Sequence, residues 1–149
     1  MPLVTREQKD AFFLDVEAAA KKATWCAVAT VEDNEPRVRM VHPTWQGDLL
    51  WIATAPESAK ARQLQNNAAI DIQFQVASPD FIHLMVRGTA TVLNDQETKD
   101  RVWDIMDYDL ADFWPGGRTD PGFVAIRVEA SRVELSELFG TMNKRVWKP

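Results

Sequence analysis

The sequence predicts a mainly β domain: a small antiparallel barrel of six strands with helices packed outside it. Three observations lead there. The stretch "AIDIQFQV" sets Ile70, Ile72, Phe74 and Val76 in strict alternation with Asp71, Gln73 and Gln75. That period leaves one strand face wet, as in an antiparallel sheet rather than a buried parallel one. Strand-like segments outnumber helical ones and are joined by short turns. Six strands of this length favour closure, because closure removes exposed edges.

The elements follow in chain order. "TREQKDAFFLDVEAAAKKA" reads as a helix, with Thr5 and Gln8 in capping-box spacing and Phe12, Phe13, Val16 and Ala20 on one face. "TWCAVATV" is the first strand, and "EDNEP" a turn in which Asn34 suits a left-handed backbone. "RVRMVHPTW" continues extended, and Gly47–Asp48 turns the chain into a third strand, "LLWIAT". A second helix opens near Ser58 and ends near Asn66–Asn67, with Thr54 and Glu57 in capping-box spacing. After "AIDIQFQV" comes the long strand "FIHLMVRGTATVL", where Gly88 marks a bend or bulge. Asn94 with Glu97 caps a third helix carrying a stripe of Val102, Met106, Leu110 and Phe113. "FWPGGRTDPG" is a loop, and "FVAIRVEASRVEL" the last strand, with Val124, Ile126 and Val128 inward. The order is α β β β α β β α β in one domain spanning residues 1–149, without repeats or linkers.

Composition bounds the function. A chain of 149 residues, 46% hydrophobic and 26% charged, has the balance of one globular domain with a full core. The net charge of −5 argues against nucleic acid as the partner, while one basic pocket for a small anion stays compatible with it. The single cysteine, Cys26, excludes an internal disulfide. No signal-peptide pattern opens the chain and no apolar run approaches ~18 residues, so a cytoplasmic protein without a membrane span is expected. Six tryptophans (Trp25, Trp45, Trp51, Trp103, Trp114 and Trp147) are explained either by core and dimer-interface packing or by a flat aromatic ligand.

The stretch "WIATAPESAKARQLQNN" places Lys60 in the first turn of a helix, where the dipole disfavours a cation. Either Lys60 points into water or an anion sits there. Arg37 and Arg39, two apart on a strand, share one sheet face, and the hairpin at Gly47 is expected to bring that strand beside the Thr54–Lys60 joint. Arginine, lysine, the hydroxyls of Thr54 and Ser58 and the free N–H groups of a helix start together make a phosphate cradle. The competing reading is a plain capped helix with Arg37 and Arg39 paired to surface acids and Lys60 solvated.

The span "EPRVRMVHPTWQGDLLWIATAPESAKARQLQNNAAIDIQFQ" resembles the flavin-binding split-barrel family, the pyridoxamine-phosphate-oxidase-like proteins. The family's ordered motifs correspond to Pro36 with Arg39, Gly47 to Thr54, and Ser58 with Lys60. "VRGTATVLND" is similar to the family's later strand, and "YDLADFWPGGRTDPGFVAIRVEA" resembles its general-stress-protein branch. The likeness covers roughly residues 5 to 135. It implies a split barrel that binds flavin mononucleotide, FMN, at a homodimer interface. By the resemblance, Arg39, Ser58 and Lys60 take the phosphate, and Thr54 lies near the phosphate or ring. Val38, Met40 and Val41 run along the ring, His83 hydrogen-bonds it, and the second subunit contributes Trp114 or Trp147. Read from the residues alone, His83 is equally a half-buried strand histidine, and His42, before Pro43, is structural or edge-exposed. Two histidines are too few for a metal site.

The chain ends "LFGTMNKRVWKP", without the Arg-x-His substrate motif of the true oxidases, so formation of pyridoxal phosphate is not expected. No catalytic acid, base or nucleophile is assignable, which leaves redox chemistry to the flavin. The expected function is an FMN-dependent oxidoreductase passing hydride or electrons between a reduced nicotinamide and an acceptor. The alternatives are a flavin-binding stress or sensor module without turnover, a haem- or deazaflavin-binding split barrel, and a nucleic-acid-binding barrel using exposed Trp.

Overall fold

The computed structural model describes residues 3–149. Three helices, α1 (Lys9–Ala23), α2 (Ala59–Asn66) and α3 (Gln96–Ile105), flank eight strands. The strands are β1 (Cys26–Glu32), β2 (Glu35–Val41), β3 (Thr44–Gln46), β4 (Leu49–Thr54), β5 (Ala69–Gln75), β6 (Ile82–Leu93), β7 (Val124–Glu137) and β8 (Met142–Trp147). The helices and the mainly antiparallel sheet are as the sequence predicts, with two strands more. The stretch read as one strand over residues 37–45 breaks at His42–Pro43, because proline donates no ladder hydrogen bond and restricts the residue before it. The chain beyond Glu137 turns back through positive-φ backbone at Leu138, Phe139 and Gly140 to form β8, a hairpin the terminal residues do not advertise.

The sheet order is β2-β1-β5-β6-β7-β4-β3, with β8 paired to the second half of β7. Each named strand pairing is antiparallel. Inward residues from seven strands, with Trp147 of β8, join one core: Val28, Val41, Trp45, Ile52, Ile72, Val86 and Val128 among them. The sheet therefore curls around that core. The barrel stays open between β2 and β3, the two ends of the hydrogen-bonded order, which only His42–Pro43 connects. This corrects the expected route from arginine to lysine. Strand β2 pairs with β1 and not with β4, so Arg39 approaches α2 through the curl of the sheet and not through a hairpin ladder.

Local chemistry explains the joints. Thr5 and Gln8 form the expected reciprocal capping box, each backbone N–H donating to the other's side-chain oxygen at 2.9 and 3.3 Å. Phe12, Phe13 and Val16 of α1 are buried, and Phe13 stands edge-on to Trp147 at 5.0 Å. Each such side chain contributes roughly 1.5–3 kcal/mol by leaving water. Asp33 and Asn34 take φ values of 52° and 61° in the β1–β2 turn, as the Asn34 reading requires. At Gly88 the β6–β7 register shifts, and a side chain there would meet the Glu129 carbonyl oxygen at 2.2 Å. Helix α3 is capped by Asp95, which accepts from the Thr98 N–H at 3.0 Å, one residue later than expected. It stops at Ile105. Leu110 belongs to a following 3-10 turn, and Phe113 of the expected stripe is exposed. A second, smaller core under α3 joins Trp51, Val102, Phe123 and Ala125, so β4 and the start of β7 are buried on both faces. Among the described residues no helix is long and apolar enough to cross a membrane.

Candidate functional site

The split between β2 and β3 opens into a cavity of about 520 Å³. Its walls are Met40, Val41 and His42 at the end of β2, Ile52 to Ala55 at the end of β4, and Lys60 of α2. Trp25 stands on one side, and Tyr108, Asp112, Phe113 and Trp114 from the segment after α3 stand on the other. Other hollows have different character. Grooves of about 330 and 540 Å³ beside α1 share Arg145, which Asp15 holds at 2.9 Å.

The polar end of the cavity is built on α2. Pro56 and Glu57 turn the chain out of β4, and Ser58, extended at φ −63° and ψ 150°, caps the helix by accepting from the Ala61 N–H at 3.3 Å. The expected Thr54–Glu57 box is replaced by this cap. Thr54 instead donates its hydroxyl to Ser58 Oγ at 3.2 Å, so both hydroxyls lie at the helix start. Lys60 is the second helical residue. Burial, and next the charge of Arg39, draws its ammonium below the ordinary lysine pKa.

Arg37 and Arg39 share a strand face but differ in environment. Arg37 is taken up by Glu35 at 3.2 Å and Glu32 at 3.9 Å. Arg39 meets neutral acceptors: the Thr30 hydroxyl at 2.7 Å, Gln63 Oε1 at 2.6 Å and the Val28 carbonyl at 3.3 Å. Among the described residues, neither Arg39 nor Lys60 has a carboxylate within ion-pair distance. Two partly desolvated, mutually repelling cations beside a helix N-terminus are the arrangement an anionic ligand relieves.

The rest of the cavity is aromatic. Tyr108 stacks on the His42 ring at 4.4 Å and 29°. Trp25 stands 5.4 Å from the same ring. His42 Nε2 lies 2.8 Å from Asp107 Oδ1, and the Thr44 hydroxyl donates to that oxygen at 3.3 Å. Burial, then the Asp107 carboxylate, raises the Tyr108 phenol above its usual pKa. Trp114 is fixed by donating its indole N–H to the Gly122 carbonyl at 2.6 Å. The combination suits a flat ring ending in an anion, and the volume falls within the usual range for small-molecule sites, ~300–1,000 Å³.

Of the residues the sequence singled out, Met40, Val41, Thr54 and Lys60 line this cavity, and Trp114, expected from a second subunit, lines it from the same chain. Arg39 and Ser58 are not in its walls: Ser58 accepts from the hydroxyl of the wall residue Thr54, and Arg39 is bonded to Gln63, one turn beyond Lys60 on α2. Val38 is exposed on β2 and lines no part of it. His83 also lies elsewhere, on the outward face of β6 with its Nδ1 2.9 Å from Gln75 Oε1. Trp147 is taken up by the core. Sequence reading missed His42, Trp25, Tyr108, Asp107 and Gln63 as site residues. Gln63 carried a usable signal, one helical turn beyond Lys60 on the same face. Nothing in the spacing tied His42 to Asp107.

Fold and site together define an open β barrel with an aromatic-walled cavity at its split and a lysine in its wall. The chain belongs to the pyridoxamine 5'-phosphate oxidase family, whose model matches residues 15–137. It is 26% identical to general stress protein 26 of Bacillus subtilis (strain 168) over 111 residues, 73% of this chain and 76% of that protein. A Clostridium acetobutylicum protein related to general stress protein 26 has the same fold, with a TM-score of 0.73, 21% identity and coverage of 93% of this chain and 95% of that one. A pyridoxamine 5'-phosphate oxidase-related, FMN-binding protein from Nostoc punctiforme superposes with a TM-score of 0.66, 19% identity and coverage of 86% and 82%.

Proposed function

We propose that this chain is an FMN-binding flavoprotein that passes hydride or electrons between a reduced nicotinamide and an acceptor. The observation that carries the proposal is the pair Arg39 and Lys60, without carboxylate partners among the described residues: Lys60 lies in the first turn of the Ser58-capped α2 and in the wall of an aromatic cavity, and Arg39 is bonded to Gln63 one turn further along that helix. A phosphomonoester is a dianion that meets both cations, the Thr54 and Ser58 hydroxyls and the free N–H groups of the helix start. Each charge-assisted contact is worth roughly 1.5–3 kcal/mol. Membership of the oxidase family and the FMN-binding neighbour from Nostoc support this ligand over other planar anions.

The flavin ring, when bound, supplies the two-electron chemistry. The residues of this chain do the rest. Arg39, Ser58 and Lys60 bind the phosphate; Met40, Val41 and Trp114 hold the ring in place and exclude water. The cavity is rimmed by exposed apolar side chains, Met40, Trp25 and Phe113, with Val38 on the same strand. A second copy of the chain covers that rim in the proposal, placing the cofactor at a homodimer interface with two symmetric sites.

The visible absorbance spectrum of the purified protein, followed by denaturation and mass identification of any released chromophore, tests the cofactor. FMN is expected in the supernatant, or taken up when added. Replacing Arg39 and Lys60 together by Ala is expected to abolish retention; unchanged flavin affinity in that variant would remove the phosphate cradle. Oxidation of a reduced nicotinamide with turnover on a quinone or dye distinguishes an oxidoreductase from a flavin store.

A further inference from the structure

We infer that Gln63, oriented by Glu32, is the positioning residue that keeps Arg39 aimed and fully charged, so that selectivity for a phosphorylated over an unphosphorylated ligand depends on a neutral buried amide. The inference rests on the flavin reading above.

Gln63 sits on α2 and is 97% buried, with 3% of its surface exposed. A buried primary amide requires partners, and here each partner dictates its orientation. Its Nε2 donates to Glu32 Oε2 at 3.0 Å. Glu32 is ionised, held below the usual carboxylate pKa by hydrogen bonds from Arg62 and then Gln63, so it only accepts. The amide therefore cannot turn over without setting a carbonyl against a carboxylate. Its Oε1 must face inward, where it accepts from the Thr30 hydroxyl at 2.6 Å and from Arg39 at 2.6 Å. Thr30 is 1% exposed and accepts from Arg39 in turn, closing a three-membered network.

The network has a consequence for Arg39. A guanidinium carries five N–H donors. Three hydrogen bonds to Val28, Thr30 and Gln63 hold it in place, and two donors remain for a ligand. None of those acceptors is charged, so the positive charge is undiminished. A carboxylate in place of Gln63 would make the same contacts and cancel it. The nearest acid on this network, Glu32, is separated from Arg39 by the amide and is engaged by Arg62 at 2.9 Å and Arg37 at 3.9 Å. The arrangement takes rigidity from a carboxylate that forms no ion pair with Arg39 and is itself engaged by two other arginines.

The test compares dissociation constants for FMN and for riboflavin, which lacks the phosphate, in wild type, Gln63→Met and Glu32→Lys. Gln63→Met changes no charge. It is expected to weaken FMN by about tenfold, the scale of one lost hydrogen bond to a charged group, while riboflavin stays within about twofold. Glu32→Lys gives a sign that charge alone would reverse. An added cation attracts a phosphate, but it also turns the Gln63 amide and breaks its bond to Arg39. The expected result is weaker FMN binding, by about threefold. Circular dichroism confirms folding; if Gln63→Met does not fold, Glu32→Lys on the surface decides alone. Unchanged FMN-to-riboflavin ratios, or tighter FMN binding in Glu32→Lys, would overturn the role of Gln63. A wild-type protein that binds FMN and riboflavin equally would overturn the phosphate reading instead, and with it this inference.

Discussion

Replacing Lys60 by Met separates a binding cation from a structural one, because the two roles predict opposite signs. Methionine keeps an aliphatic stem along the cavity wall and removes the ammonium. In the flavin-free protein Lys60 is half-buried, has no carboxylate partner among the described residues, and is repelled by Arg39. Its removal therefore stabilises the flavin-free fold. Solvent screening limits the gain to about 0.5 kcal/mol, the scale of an exposed charge pair. Binding moves the other way: losing one charge-assisted contact, roughly 1.5–3 kcal/mol, weakens FMN by about 10- to 150-fold. The pH dependence has a definite direction. The folded-state pKa lies below the ordinary lysine value of 10.5, so between the two the unfolded chain holds more protons and wild-type stability rises with pH. The charge penalty is full at neutral pH and vanishes above 10.5, and the advantage of Lys60→Met shrinks over that window. Urea unfolding of flavin-free protein near neutral and near pH 10, with a fluorescence titration of FMN, reads both quantities. A variant that is less stable than wild type without flavin and binds FMN as tightly would refute the reasoning.

Two further outcomes follow from the same structure. Gly88→Ala puts a methyl 2.2 Å from the Glu129 carbonyl oxygen and 3.0 Å from Ala130 Cα, both backbone at the β6–β7 register shift; a loss of about 3 kcal/mol is expected, and a melting temperature equal to wild type would show that the strands part freely there. Cys26 is fully buried in β1, and burial pushes its thiol up to about 12; no modification by a thiol-specific disulfide reagent is expected in the native protein at mildly alkaline pH, with complete reaction in denaturant, and rapid native labelling would mean that β1 opens readily.

Legibility followed the range of each interaction. The alternation in β5, the capping box of Thr5 and Gln8 and the turn at Asn34 are set within a few residues, and each stands where the sequence puts it. The strand pattern also placed Gly88 at its register shift. Readings failed where one apolar pattern crossed two elements. The stripe through Val102, Met106, Leu110 and Phe113 spans α3, its end and a 3-10 turn, because Asp109 caps a separate turn by accepting from the Ala111 N–H. Strand β8 escaped notice because Asn143, Lys144 and Arg145 interrupt its apolar residues. Its pairing with β7, and for Trp147 the packing against Phe13 of α1, buries Val146 and Trp147.

Sequence by itself determined the class of fold and several of the residues that meet in and beside the cavity, Met40, Val41, Thr54 and Lys60 among them. Strand periodicity, turn residues and a lysine in the first turn of a helix are local features, and local sterics and dipoles act the same way wherever the segment lies. Tertiary structure alone decided that Arg37 is neutralised by two glutamates while Arg39 is not, and that a buried glutamine holds Arg39 in place. It also decided that the barrel opens at His42–Pro43, where aromatic side chains from the segment after α3 close around the gap. Those outcomes depend on which distant groups the curled sheet brings within a few ångströms, because charge and hydrogen bonding act through space, and neighbours in sequence do not specify them.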